Sequence, residues 1–270
     1  VICTSATTAR NVRSVARAHA SIEVVRPGWD THGPGWPSPP GPLSLPWERG
    51  GHGPVPGCSP LPRTGRGVGG EGLPQLRGAA GDGSLRLLLV GHWTPRKGIL
   101  AALDALARVR PQVTLDLVGD QDRDPAYAEH VWSALRAPSL AGRVRVHGHV
   151  SQPALATLFA DADALLLSST HEGYGMVLAE ALAAGLPIVA TRVGAVPEVV
   201  RDGFEAVLVP PGDAAALARA IEQLAADPTE RRHRAELARE RAATLPCWSE
   251  SVVAFERHLQ ALLARRLSGT

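Results

Sequence analysis

From Leu85 onward the chain repeats one unit, a short apolar run followed by a segment of helical period. That alternation restricts the fold more than any other feature. Runs such as LRLLLV (85–90) and ALLL (164–167) are apolar at nearly every position, not at alternate ones. A strand apolar on both faces must be covered on both, which is the condition of a parallel sheet between helices. Strands are predicted at 85–90, 113–118, 143–147, 163–167, 187–191 and 206–209. Helices are predicted at 98–109, 126–136, 153–160, 175–184, 195–200 and 213–226, and then at 229–243 and 247–265 with Pro246 between them. The expected class is α/β, a Rossmann-like parallel sheet with helices on both faces. Ligands of such sheets bind beyond the C-terminal ends of the strands, and the polar motifs fall there.

The richest motif is HEGYGMVLAEALAAGLPIVATRVGAVPEVV, residues 171–200. Glu172 and Glu180 stand eight positions apart around a turn in which Gly173 and Gly175 let the backbone approach a ligand. One acid precedes a helix and the other lies on its second turn. A helix N-terminus behind glycines favours phosphate through its free N–H groups and its dipole. The arrangement suits a sugar hydroxyl at one acid and a ribose diol at the other, that is, a nucleotide-sugar site. A second anion-binding turn is GHWTPRKG, residues 91–98, between the first strand and its helix. Gly91 and Gly98 bracket it, and Arg96 and Lys97 can hold a diphosphate by charge-assisted hydrogen bonds.

Glu172, seven intervening residues and Glu180, with Gly173-Tyr174-Gly175 after the first acid, resemble the donor-site motif of retaining GT-B glycosyltransferases of family 4, the glycosyl transferases group 1. The resemblance extends through 87–106, 113–120, 143–169 and 198–221, covering roughly residues 85 to 245. It implies the C-terminal, donor-binding half of such an enzyme. It also implies roles: Lys97 stabilises the leaving diphosphate, Glu172 contacts the donor sugar, and Glu180 takes the ribose hydroxyls. The N–H groups of Gly175, Met176 and Val177 would meet the distal phosphate. His149 and Val150 resemble the stretch that meets the nucleobase, mostly through backbone groups. Tyr174 is read either as a site residue or as packing. The family usually has an arginine where this chain has His92, a weaker anion clamp because imidazole, with a reference pKa of about 6.5, is mostly neutral at pH 7. Arg96, always charged, is the expected compensation.

Four regions follow from this. Residues 1–29 read as strand (1–4), helix (7–19, capped by Thr7 or Thr8) and strand (22–25), resembling the end of the family's N-terminal Rossmann domain, of which most would be missing. Residues 30–83, rich in Gly and Pro without apolar period, read as a disordered linker or as an insertion, even an out-of-frame one. Residues 84–245 are the donor-binding domain and 246–270 a C-terminal helix.

Composition excludes several classes. With a formal charge of +2 in 270 residues the chain is not built for nucleic acid. Cys3, Cys58 and Cys247 show neither paired nor metal-like spacing, and an odd count fits a reduced, cytoplasmic setting. No apolar run reaches the roughly 18–20 residues needed to span a bilayer, and no signal peptide is evident. Asp120, Asp122 and Asp124 alternate like a cation loop, but Pro125 and Val131 stand where an EF-hand needs Gly and Glu. His147 and His149 lack a third ligand. The basic helix at 229–243 interleaves Glu230, Glu236 and Glu240 with its arginines and reads as solvated.

The resemblance then implies a metal-independent, hexosyltransferase-type enzyme with no cofactor. It would take a nucleotide-diphosphate sugar as donor and pass the sugar, with retention, to a hydroxyl of a glycan, lipid or small molecule. A complementary N-terminal half or a peripheral membrane contact are the further partners considered. The alternatives are a nucleotide-sugar-binding module without turnover and an inactive truncated remnant.

Overall fold

The apolar runs form the strands they imply. A computed structural model describes residues 2–15, 22–27 and 84–267. Six parallel strands, β3 (Leu85–Val90), β4 (Val113–Val118), β5 (Val144–Gly148), β6 (Ala164–Leu167), β7 (Ile188–Thr191) and β8 (Ala206–Val209), make one sheet in the order β5-β4-β3-β6-β7-β8. Strand side chains alternate between two cores. Leu85, Leu87 and Leu89 face one, with Leu115, Leu117 and Leu166, while Leu88, Leu165, Leu167 and Ile188 face the other. The first core is closed by helices α2 (Ile99–Arg108), α3 (Pro125–Leu135) and α7 (Ala214–Ala226). The second is closed by α4 (Gln152–Asp161), α5 (Met176–Ala184), α6 (Val196–Val199) and α8 (Pro228–Ala242). The strand order reverses direction between β3 and β6, which is where open α/β sheets bind ligands.

Asp116 is the exception in these strands. It is buried on β4, receives Arg86 at 2.5 Å and Arg145 at 3.0 Å, and lies 2.7 Å from His147. Burial alone would push its carboxyl up, but the hydrogen bonds from Arg86 and His147 and the charges of Arg86 and Arg145 hold it below the usual carboxylate range.

Ahead of the sheet, β1 (Ile2–Cys3), α1 (Ala6–Val15) and β2 (Glu23–Val24) form a small parallel unit around Cys3, Ala9 and Ile22. The upper end of the predicted first helix and all of the Gly/Pro-rich stretch 30–83 lie outside the described residues. Ser5, not Thr7 or Thr8, caps α1 locally: its Oγ accepts from the Thr8 amide at 3.0 Å. At the other end, α9 (Trp248–Leu267) lies against β2, with Ser251 donating to the Arg26 carbonyl at 2.7 Å and His258 3.3 Å from Glu23. Its outer side shows Trp248, Val252, Phe255, Leu259 and Leu262 at alternating four- and three-residue steps, all exposed.

Element boundaries from Leu85 onward agree with the predicted ones to within a residue or two, α9 included. Two three-residue 3-10 turns, Pro95–Lys97 and Pro138–Leu140, were not foreseen, since three residues carry no period. The basic helix α8 is less solvated than its composition implies. Arg231 is buried and donates to the Leu224 carbonyl, Arg234 reaches the carbonyls of Phe204 and Ala206, and Arg241 those of Glu198 and Val199. Asp124, part of the alternating acidic trio, caps α3 by accepting from the Tyr127 amide at 3.0 Å. Cys247 is disulfide-bonded, which the cysteine spacing did not reveal and which sets aside the wholly reduced chain expected above. No helix among the described residues is long and apolar enough to cross a membrane.

Candidate functional site

The loops after β3 and β6, adjacent strands at the reversal of the sheet, are joined to each other. The Thr170 amide donates to the Arg96 carbonyl at 2.8 Å and the Ser168 hydroxyl to the Lys97 carbonyl at 3.0 Å. Gly98 makes this approach feasible: its φ is 62°, and a Cβ there would sit 2.0 Å from the Ser168 carbonyl oxygen. Gly91 leaves room in the same way for the Lys97 side chain, whose carbons would lie 3.0–3.2 Å from any Cβ.

The join brings together residues 75 positions apart. Lys97 Nζ donates to Glu172 Oε2 at 2.9 Å, and Arg96 Nη1 lies 3.7 Å from Glu172 Oε1 while donating to the His171 carbonyl at 3.2 Å. Ser169 Oγ donates to Glu172 Oε2 at 3.3 Å. Both Lys97 and Glu172 are largely buried side chains. An ammonium has three donors and a carboxylate about four acceptor positions, so this pair retains capacity for a polar ligand. The backbone of Glu172 is held from the far side, where the Ala195 amide donates to its carbonyl at 3.1 Å.

Gly173 and Gly175 carry the chain from Glu172 into α5. A Cβ at Gly173 would meet nothing within 4 Å, so that side of the loop is open. Gly175, with φ 82°, is the N-cap of α5, and Met176 and Val177 occupy the first turn. Tyr174 is buried in the second core, and burial raises its phenol. Val150, Met176 and Val177 pack against that same core.

Glu180 differs from Glu172. Among the described residues no donor or cation reaches it, and burial pushes its carboxyl up to about 7. A partly buried acid without a partner is costly to ionise, and a ligand with hydroxyl donors would satisfy it. His92 lies beside Asp120: its Nδ1 is 3.9 Å from Asp120 Oδ2, and its side chain is half exposed.

The structure thus joins Gly91, Arg96, Lys97 and Glu172 directly and follows them with Gly173, Tyr174, Gly175, Met176, Val177 and Glu180 on one continuous turn and helix. His92 lies in the same loop after β3, and Val150 in the loop after β5. Sequence reasoning missed Ser169, Thr170 and the Gly194–Glu198 turn. The signal for that turn was Gly194 itself, whose φ is 52° and whose Cβ would fall 1.9 Å from the Glu172 carbonyl oxygen.

A family model for glycosyl transferases group 1 matches residues 84–227. The glycogen synthase of Mycobacterium tuberculosis is 34% identical over 162 residues, which are 59% of this chain and 38% of that protein. The phosphatidyl-myo-inositol mannosyltransferase of Mycobacterium leprae is 37% identical over 152 residues, 55% of this chain and 39% of that one. The match therefore spans about two fifths of such relatives. Among solved structures, sucrose-phosphate synthase from Thermosynechococcus elongatus shares the fold with a TM-score of 0.74 at 24% identity, over 98% of this chain and 58% of that one. HepE of Anabaena, in complex with UDP and glucose, does so with a TM-score of 0.71 at 22% identity, over 97% and 63%.

Proposed function

The chain belongs to the glycosyl transferases group 1, and from that premise we propose that it is the donor side of a retaining, metal-independent glycosyltransferase, binding a nucleotide-diphosphate sugar. HepE, crystallised with UDP-glucose as well as with UDP, supports that ligand class.

Glu180 is the observation that carries this reading. A ribose diol offers two hydroxyl donors, which is what an unpartnered acid on the second turn of α5 requires. Lys97 and Arg96 then neutralise the diphosphate together with the first turn of α5, using fixed charges and N–H groups instead of a metal. Glu172, already held by Lys97, Ser169 and the Ala195 amide, offers its remaining acceptor positions to the sugar hydroxyls. As the glycosidic bond to the diphosphate breaks, negative charge grows on the departing oxygen, and Lys97 stands at the loop where that charge would develop. The acceptor hydroxyl comes from the opposite side of the cleft, in a region of the relatives that this match does not span.

Calorimetric titration of the chain with UDP, GDP and ADP, and with their sugar conjugates, tests the reading. Binding should favour one nucleotide and be lost in both Glu180→Ala and Lys97→Ala. Binding with no transfer to any hydroxyl acceptor would support a nucleotide-sugar module. A folded chain that binds none of them would overturn the donor site.

A further inference from the structure

The carboxylate of Glu198 lies outside the predicted site yet makes the main polar contact between the two folded units of the chain. Its Oε2 accepts from the Ala6 amide at 3.0 Å, and its Oε1 accepts from the Thr7 amide at 2.8 Å and the Thr7 hydroxyl at 2.7 Å. The donors are the first N–H groups of α1, some 190 positions earlier in the chain. Ser5 supplies the local cap at Thr8, so Glu198 satisfies the amides that Ser5 does not reach. A negative charge at a helix N-terminus is favoured by the dipole as well as by the hydrogen bonds. Partial burial would raise the Glu198 carboxyl. The Thr7 hydroxyl, the Thr7 and Ala6 amides and the charge of Arg26 outweigh that and hold it below the usual carboxylate range.

Glu198 is itself fixed to the site. Arg241 donates to the carbonyls of Glu198 and Val199, both at 2.8 Å, so α6 cannot shift without α8. The turn into α6 rests on Glu172: Ala195 donates to the Glu172 carbonyl, and Gly194 lies too close to it for any Cβ. Thr7 Oγ1 also lies 3.2 Å from the Gly194 carbonyl. One route of direct contacts therefore runs from α1 through Glu198 and Gly194–Ala195 to Glu172 and Lys97.

We propose that Glu198 is a positioning residue for sugar transfer: it seats the β1–α1–β2 unit on the turn that supports Glu172, so that the leading unit and the sugar-binding acid move as one. The proposal rests on the donor-site reading for its consequence on sugar binding, while the contact route stands on the geometry alone. The sugar portion of the ligand should feel the change more than the nucleotide portion, because Glu172 rests directly on the turn that Glu198 supports, whereas Lys97 lies one contact further along and Glu180 sits on α5.

The test is amide hydrogen exchange on the full chain, read at single residues by NMR, for wild type, Glu198→Ala and Glu198→Gln. It is paired with calorimetry using UDP and UDP-glucose as probes. In Glu198→Ala, exchange at Ala6, Thr7 and Ala195 should accelerate about tenfold, the effect of losing charge-assisted hydrogen bonds. Amides of β3 and β4 should be unchanged. Glu198→Gln, which keeps one acceptor oxygen, should recover part of the protection. The ratio of UDP-glucose to UDP affinity should fall severalfold in Glu198→Ala and less in Glu198→Gln. Faster exchange at Ala6 and Thr7 with Ala195 unmoved would reduce Glu198 to a cap and overturn the proposal. An unchanged affinity ratio, or acceleration shared by β3 and β4, would overturn it too. If the wild type binds neither probe, the donor reading fails, and Ala195 exchange still decides whether the units are coupled.

Discussion

The six-stranded sheet and the β1–α1–β2 unit use the same parallel strand-and-helix grammar but are held by different forces. The sheet is closed by two apolar cores, with Leu87, Leu165 and Ile188 fully buried between helices. Among the described residues the leading unit has the cluster of Cys3, Ala9 and Ile22, with Val12 packed against it, and it joins the rest through hydrogen bonds to Glu198 and Ser251. The two acids mark the contrast. Glu180, in the larger unit, is partly buried without a partner, while Glu198, at the junction, has three donors. A large core can carry an unsatisfied group, whereas a small one depends on each polar contact it makes.

The strongest attempt to break this comparison is the same kind of truncation in both units. Leu165→Ala should cost about 2–5 kcal/mol of unfolding free energy by urea titration, through lost burial and the cavity left behind. Ile22→Ala should cost less than about 1 kcal/mol and leave the midpoint of the main transition in place. Equal shifts would mean that the two units unfold as one. Next in size is Gly98→Ala, which places a methyl against the Ser168 carbonyl and forces a left-handed backbone on alanine. Roughly 3 kcal/mol should be lost, with chemical-shift changes confined to the loops after β3 and β6.

Acid sharpens the comparison because the two carboxyls titrate in opposite senses. The folded Glu180 carboxyl, at about 7, lies above its ordinary 4.5, so its contribution is fully present below about 4.5 and is lost as pH rises to about 7. Across that window wild type should lose roughly 2–3 kcal/mol relative to Glu180→Gln, and no more above it. Glu198 lies below its ordinary value, so its contribution holds above about 4.5 and fades as pH falls further. Exchange at Ala6 and Thr7 should therefore accelerate below pH 4.5, whereas the Glu180 contribution is greatest there. Wild-type and Glu180→Gln stabilities that run parallel across pH 4.5 to 7 would remove Glu180 as an unpartnered, partly desolvated acid. The smallest effect is on ligand affinity: a diol that prefers the ionised Glu180 should bind severalfold more tightly at pH 8 than at pH 6, with uptake or release of protons read from calorimetry in different buffers.

The strands were legible because burial on both faces leaves an uninterrupted apolar run, as in Leu87 to Leu89 and Leu165 to Leu167. Motif and glycine spacing single out Glu172, Glu180 and Lys97 as candidates. What was not legible is the contact between Lys97 and Glu172, since it depends on β3 and β6 lying side by side, and strand order is not written in any local window. Glu198 was hidden for the same reason, its donors being 191 and 192 residues away. Asp116 reads as a lapse in a strand until Arg86, Arg145 and His147 arrive from the neighbouring strands. The arginines of α8 look like a solvated face because composition cannot say which of them finds a carbonyl.

The outer side of α9, with Trp248, Val252, Phe255, Leu259 and Leu262 in contact with solvent, has a consequence at the bench. Environment-sensitive dyes that brighten on apolar surfaces will bind this helix while the sheet is still intact. A dye-based melt would start from a high baseline and could show a falling signal as α9 frays. Tryptophan emission would mislead less, because Trp93 is fully enclosed in the sheet's core and Trp248 is not. Its blue-shifted component follows the domain that should bind the donor, while the red-shifted one is shared between Trp248 on α9 and Trp132 on α3, both exposed.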